Sequence, residues 1–403
     1  MKIQRTKSNS KIASIVQDPD CKIELVHSGE DFFFRMLDLI NSAKVEIHLQ
    51  TYIFMNDSTG ILLAEALKKS ASRGVSVYLL LDRFGSSLPD VFIRDLISNG
   101  IHFRFFAPYF SINSIYFGRR LHHKILLVDG FKAIVGGINI ADKYCGNMDS
   151  RAWLDYAVQF DGSAAAALES LCRNIFYHQK SVRKHRSLFF QLNGSSIRTL
   201  QNDWLRKQND ISNMYLRNIR KAKSDIIIVG SYFIPGRKLT KALIRRAKMG
   251  VKVKLILAGV SDVPLIKRAT SFLYKLFLRN SIELYEWNDS VLHGKAAVID
   301  QHWSTIGSFN LNHLSSYASI EMNVEIESRD FSLHFSKHLE EVILNCERIF
   351  SSDFQIKRTV FSMFLDWLCY RIVRVASIII TYMPQKRLFV RKRRKSWKHF
   401  IID

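Results

Sequence analysis

The chain has 403 residues, 47% of them apolar and 24% charged, a composition that suits a folded protein with ample core and excludes disordered or collagen-like classes. Its 59 Lys and Arg outnumber 36 Asp and Glu, for a formal net charge of +23 that points to polyanionic partners: nucleic acid, anionic lipid or a phosphorylated substrate. Five scattered cysteines (Cys21, Cys145, Cys172, Cys346, Cys369) without CxxC spacing argue against a disulfide scaffold or a cysteine metal site. The first twenty residues hold no apolar core of signal-peptide length, and no apolar run reaches the roughly 18 residues of a spanning helix. Secretion and membrane crossing are therefore not expected.

Residues 45–54 alternate apolar and polar side chains (Val45, Ile47 and Leu49 against Glu46, His48 and Gln50), which predicts a strand. Asn56-Asp57-Ser58 then breaks the chain before Leu63, Ala66 and Leu67 recur at helical spacing; Gly74 ends that helix, and 75–81 reads as a second strand. The same order returns downstream with a strand at 226–229, a break at Pro235-Gly236, a basic helix at 239–249, Gly250, and a strand at 251–257. Ala43-Lys44 aligns with Ala222-Lys223, Tyr52 with Tyr232, and Gly74-Val75 with Gly250-Val251. A doubled strand–helix–strand pattern predicts two homologous α/β halves with mixed, largely parallel sheets.

A longer match decides for duplication. Residues 122–139 read HHKILLVDGFKAIVGGIN, and residues 293–310 read HGKAAVIDQHWSTIGSFN. His122, Lys124, Asp129, Gly136 and Asn139 recur in register as His293, Lys295, Asp300, Gly307 and Asn310. Chance supplies one HxKxxxxD about 0.04 times in a chain of this kind, so two copies sharing the later Gly and Asn are not an accident.

The chemistry of such a pair is specific. His and Lys two positions apart at the start of an apolar run are expected on one face of a strand, and the trailing Asn139 and Asn310 offer amides to phosphate oxygens. Two halves brought together would assemble two imidazoles, two ammonium groups and two amides around one phosphodiester. Lysines neutralise charge on the pentacoordinate phosphorus, one neutral imidazole attacks, and the other, protonated, donates to the leaving alkoxide. Neither a metal nor another cofactor is expected, because the lysines supply the positive charge and repel cations. His123, whose counterpart is Gly294, reads as structural.

The doubled HxKxxxxD with trailing GGxN and GSxN resembles the phospholipase D superfamily, and within it the bacterial cardiolipin synthases of the short, non-spanning type. The stretches LQTYIF, RGVSVYLLLDRFGS, SYFIPG and LYEWNDSVLHGKAAVID extend that resemblance over most of the chain. It implies a monomer whose two motifs form one active site, working through a phosphohistidine with His122 as nucleophile and His293 as acid and base. It also implies a downstream carboxylate orienting each histidine; by spacing, Asp155 is expected to serve His122 and Glu321 to serve His293. Asp129 and Asp300 are counted with the catalytic motif, although bracing the strands suits them better than touching substrate. After Asn310 the family's Leu-Asp-x-Arg-Ser becomes Leu311-Asn312-His313-Leu314-Ser315, which leaves the acceptor alcohol open. The function implied is transfer of a phosphatidyl group from phosphatidylglycerol to a second phospholipid's hydroxyl, with hydrolysis of a lipid or nucleic-acid phosphodiester as the alternative.

Residues 358–383 carry Phe361, Phe364, Trp367, Leu368 and Ile372 interrupted by Asp366, Arg371 and Arg374, which predicts an amphipathic helix lying on a surface. Eight Lys or Arg follow between Lys386 and Lys398, interleaved with Leu388, Phe389 and Trp397, as an anionic membrane surface would select. The apolar-basic stretches 105–120 and 263–277 precede the two motifs and are candidates for a membrane-facing rim. The expected organisation is an extension at 1–19, a first half at 20–185, a second at 186–355 and a membrane-binding tail at 356–403, divided at Lys180–Arg186. The partners expected are anionic phospholipids on the cytoplasmic membrane face, rather than nucleic acid.

Overall fold

A computed structural model describes residues 15–18, 21–106, 110–111, 114–115, 120–147, 150–177, 187–192, 194–203, 208–312, 315, 319–350 and 359–382. The expected divide at Lys180–Arg186, part of the 105–120 stretch and the basic run after Pro384 lie outside those residues.

The repeated elements form where the pattern placed them. The first copy gives the strand Glu46–Thr51, the helix Ser58–Ser72 and the strand Ser76–Asp82. That helix starts where Asp57 accepts a hydrogen bond from the Gly60 N–H, so the polar break is its N-cap. The second copy gives Asp225–Gly230, Arg237–Lys248 and Lys252–Val260.

Each half is built on its own sheet. The first has seven strands in the order Ile23–His27, Tyr156–Asp161, Lys132–Gly136, Lys124–Val128, Glu46–Thr51, Ser76–Asp82, His102–Phe106. Within the second, larger sheet the corresponding run is Ser319–Glu327, Trp303–Gly307, Lys295–Ile299, Asp225–Gly230, Lys252–Val260, Ile282–Val291. Both sheets are mixed, but the expectation of largely parallel pairing does not hold. Parallel pairs occur in the crossover units, whereas each motif strand sits antiparallel between its neighbours. The reason is local: Val128 turns back to Lys132 through Asp129 and Gly130 at positive φ, and Ile299 turns back to Trp303 through Asp300 and Gln301, likewise positive. A hairpin that short leaves no room for a parallel crossover.

The motif strands are buried throughout, and their alternate residues enter different cores. Ile125 and Leu127, with Ala296 and Val298, join a central cluster drawing on both sheets. Leu126 and Val128 pack instead into an outer cluster under the first half's helices, and Ala297 and Ile299 into its counterpart in the second half. The two sheets thus share one apolar layer, which fixes the halves against each other. Chain exchange strengthens it, since Ile15–Gln17 and Arg120–Leu121 both pair with second-half strands.

Asp129 and Asp300 belong to this framework rather than to the catalytic set in which they were counted. Asp129 accepts from the N–H groups of Lys44, Val45 and Glu46, and Asp300 from those of Lys223, Ser224 and Asp225. Partial burial acts to raise both carboxyls, but these donors win and hold them below the usual range. The chain puts them at the far end of the strand from the histidine, where they tie the hairpin to the start of the neighbouring strand. Asp129→Ala and Asp300→Ala should each cost about 2–3 kcal/mol in urea unfolding, with turnover of the folded protein changed by less than about threefold. A collapse of kcat at unchanged stability would return them to catalysis.

Candidate active site

Both motif strands begin at the lysine, so His122 and His293 lie in the connections just ahead of them rather than on the strand face that was expected. Those connections are held by the opposite half. Arg120 and Leu121 pair in parallel with Ser319 and Ile320, and the N–H groups of His122 and His123 both donate to the Ile320 carbonyl at 3.0 Å. In the other copy Leu292 bridges Leu154, and the N–H groups of His293 and Gly294 donate to the Leu154 carbonyl at 2.8 and 2.9 Å. Ile320 and Leu154 immediately precede Glu321 and Asp155. Each clamp therefore delivers the carboxylate of one half to the imidazole of the other.

The resulting pairs reverse the expected assignment. His122 Nδ1 lies 2.8 Å from Glu321 Oε2, and His293 Nδ1 lies 2.5 Å from Asp155 Oδ2. Asp155 does not serve His122, nor Glu321 His293, because the two sheets pack face to face through a shared apolar layer and each clamp joins opposite halves. An ionised carboxylate only accepts, so the proton of each imidazole is placed on Nδ1 and Nε2 is left for chemistry.

The carboxylates are seated differently. Asp155 also accepts from the Tyr156 N–H at 2.8 Å, and it occupies space that a side chain at position 137 would fill: a Cβ on Gly137 would meet Oδ1 at 2.3 Å. The equivalent position in the second copy is Ser308, whose hydroxyl donates to Glu321 Oε2 at 2.5 Å. His123 is buried and paired with the Gln50 amide oxygen at 2.8 Å, as a structural residue should be.

Each lysine folds back over its own motif. Lys124 Nζ donates to the His122 carbonyl at 2.6 Å, and Lys295 Nζ to the His293 carbonyl. The two asparagines are largely committed to the walls. Asn139 accepts from the Ile53 N–H and donates to the Tyr144 hydroxyl, while Asn310 accepts from the Ser231 hydroxyl at 2.9 Å. Asn139 thus holds the wall in shape through both ends of its amide; among the described residues, Asn310 has its carbonyl end engaged there.

Aromatic rings missing from the candidate set line the histidines. Tyr52 stands 5.0 Å from the His122 ring, and Tyr232, its counterpart in the repeat, 6.4 Å from His293. Their alignment in the sequence was the available signal. Tyr144 at 5.3 Å and Trp153 at 6.0 Å also flank His293, and the Tyr232 hydroxyl donates to Asp262 at 2.7 Å; no motif announces Tyr144, Trp153 or Asp262.

Burial governs the electrostatics. Lys124 is pushed down to about 7, first by burial and then by the charge of Lys295; burial pushes Lys295 down to about 8, with Asp155 opposing. Burial lowers His122 against the pull of Glu321, and lowers His293 strongly, helped by both lysines. Burial also pushes Asp155 up to about 6. The site is thus short of negative charge, and an anionic diester would restore the lysine ammonium forms. Among the described residues, no group of three or more His, Cys, Asp or Glu is arranged to hold a metal ion.

Comparison with known proteins fits this geometry. The family described as "Cardiolipin synthase, PLD-like domain" matches residues 36–160 and 215–343, once in each half. Cardiolipin synthase B of Salmonella typhi is 32% identical over 384 residues, covering 90% of each chain. The minor cardiolipin synthase of Bacillus subtilis is 30% identical over 349 residues, covering 86% of this chain and 87% of that one. The crystal structure of phosphatidylserine synthase from Haemophilus influenzae Rd KW20 superposes with a TM-score of 0.70 at 14% identity, over 89% of this chain and 94% of that one, which shows a shared fold. With a family match in each half and a tenth of the chain or less outside its Salmonella relative, this protein belongs to the cardiolipin synthase family of phospholipase D-like phosphatidyltransferases.

Proposed function

We propose that the chain joins two phospholipids, taking the phosphatidyl group of one phosphatidylglycerol to the hydroxyl of a second lipid and releasing glycerol. The observation that carries this reading is the pair of reciprocal His–carboxylate couples beside two buried lysines. His122 Nε2 attacks phosphorus, and the bond from phosphorus to the glycerol oxygen breaks as His293, entering the step as imidazolium, gives that oxygen its Nε2 proton. The acceptor hydroxyl then passes its proton to His293 Nε2 and displaces His122 from phosphorus, restoring the neutral His122 and the imidazolium form of His293. Glu321 orients the nucleophile and Asp155 the acid and base. Lys124 and Lys295 stabilise the phosphorane charge, with the Asn310 NH2 as a further donor. Both motifs come from one chain, which supports a monomer as the working unit on the cytoplasmic membrane surface.

Lipid chromatography of the purified enzyme with phosphatidylglycerol tests the reaction. Cardiolipin and glycerol should accumulate; phosphatidic acid as the main product would replace transfer by hydrolysis. His122→Ala and His293→Ala should each remove essentially all turnover. The roles separate with a diester whose leaving group needs no proton: His293→Ala should still form phosphohistidine at His122, whereas His122→Ala should form none. An adduct mapped to His293 by mass spectrometry would exchange the two roles.

The lysines extend the alkaline limb of the pH profile beyond the loss of the proton from His293, which burial lowers below the ordinary histidine value. Deprotonation of Lys124 at about 7 and Lys295 at about 8 removes charge from the phosphorane, so kcat/KM in mixed micelles should fall as pH rises through that window. On the acid side it should fall only below the ordinary histidine value, because burial lowers the nucleophile. A rate that stays flat through pH 9 would contradict the lysine role.

A further inference from the structure

The helix Val360–Tyr382 is assembled inside out. Its docked side carries Asp366, only 2% exposed, with Val373 and Ser377. Arg268 reaches Asp366 at 3.3 Å from the helix Pro264–Ser271, the rings of Phe272 and Tyr370 meet at 4.7 Å, and Val373 enters the second half's outer core. The opposite side carries Phe361, Phe364, Leu368, Ile372, Val375 and Ile379, all exposed, with Phe361 at 69%. Their spacing of three and four residues makes one stripe along the helix. An ordinary surface helix would bury that stripe and expose the acid. Leu265, Phe272 and Leu276, also exposed, extend the apolar surface onto the segment against which the helix packs. A patch of this kind requires an occupant.

Charge narrows the choice. Arg371 and Arg374 lie over the rings of Trp367 and Tyr370 on the helix itself, and the eight Lys and Arg between Lys386 and Lys398 follow it in sequence. Among the described residues, no helix is long and apolar enough to cross a membrane. We propose that this face is a lipid-docking surface: the stripe from Phe361 to Ile379, with Leu265 and Leu276, enters one leaflet of an anionic bilayer while the arginines stay at the level of the phosphates. The choice of a lipid occupant rests on the phosphatidyl-transfer reading above. The docking helix is also connected to chemistry. Pro264–Ser271 begins two residues after Asp262, the acceptor for the Tyr232 hydroxyl, and the Tyr232 ring flanks His293. Seating this face in lipid therefore brings the His293 wall of the site beside the bilayer that supplies its substrate.

The test is vesicle flotation of the full chain carrying Phe364→Gln, Leu368→Gln and Val375→Gln, all at exposed positions. Vesicles of phosphatidylglycerol with phosphatidylethanolamine are compared with phosphatidylcholine alone. Unchanged circular dichroism and near-native turnover on detergent-dispersed phosphatidylglycerol establish that the variant is folded. Binding to the anionic vesicles should fall about tenfold, with oligomeric state unchanged. Undiminished flotation would overturn the proposal, and so would a native dimer that the variant dissociates without loss of flotation, which would make the stripe a contact between copies. Should the native protein yield no cardiolipin while its flotation still depends on the stripe, the transfer reading would fall and the docking surface would stand.

Discussion

Everything in the site hangs on one carbonyl in each half. The Ile320 carbonyl takes two N–H groups from the first motif, and the Leu154 carbonyl takes two from the second. Because the carboxylate follows that carbonyl by one residue, the backbone bond and the imidazole–carboxylate bond form together or not at all. Neither half alone presents an oriented histidine. Catalytic competence is therefore a property of the docked pair, and the apolar layer shared by the sheets is what keeps them docked. Main-chain hydrogen bonds suit this task, since they place side chains to within the tolerance that an in-line displacement requires.

Such docking buries like charges together. Two lysines and two histidines share a site from which water is largely removed, a costly arrangement without a counter-ion. The structure offsets part of that cost with Asp155 and Glu321, and the depressed lysines record the part that is not offset. The unmet demand for negative charge is what a phosphodiester satisfies, most fully when charge accumulates on phosphorus. Binding energy is thereby reserved for the transition state. The surrounding sheets, with their fully buried motif strands, supply the rigidity that holds these groups in place.

The duplication keeps strand order and motif register but not side chains. Gly137 makes space for one carboxylate where Ser308 adds a donor to the other; His123 is tied to Gln50 where Gly294 packs close to Val229 and Tyr156. His293 is walled by Tyr144, Trp153 and Tyr232, whereas Tyr52 stands beside His122. Unequal surroundings suit the unlike roles proposed for the two imidazoles. Among the described residues the helix Val360–Tyr382 has no counterpart in the first half, and it lies on the Tyr232 side, so the asymmetry extends from the site to the proposed membrane surface.

Much of this was legible in the residues. The matched HxKxxxxD segments, the Asp57 cap and the repeat of strand, helix and strand are local or periodic signals, so they survive in one dimension. By the same local logic the antiparallel hairpins were readable, since Val128 and Lys132 leave no length for a crossover; the larger βαβ pattern outweighed them. The partner of each histidine was not legible. His122 and Glu321 are 199 residues apart, and His293 and Asp155 138. Spacing along a duplicated chain favours a carboxylate within the same half, and only the packing of two sheets face to face makes the crossed partner the near one. Likewise the sequence showed that residues 360–382 have an apolar face, but which face turns outward depended on Arg268 being positioned to draw Asp366 inward. Composition and motif determined the reaction class; the tertiary structure decided which groups act on one another, because that is set by contacts between distant segments.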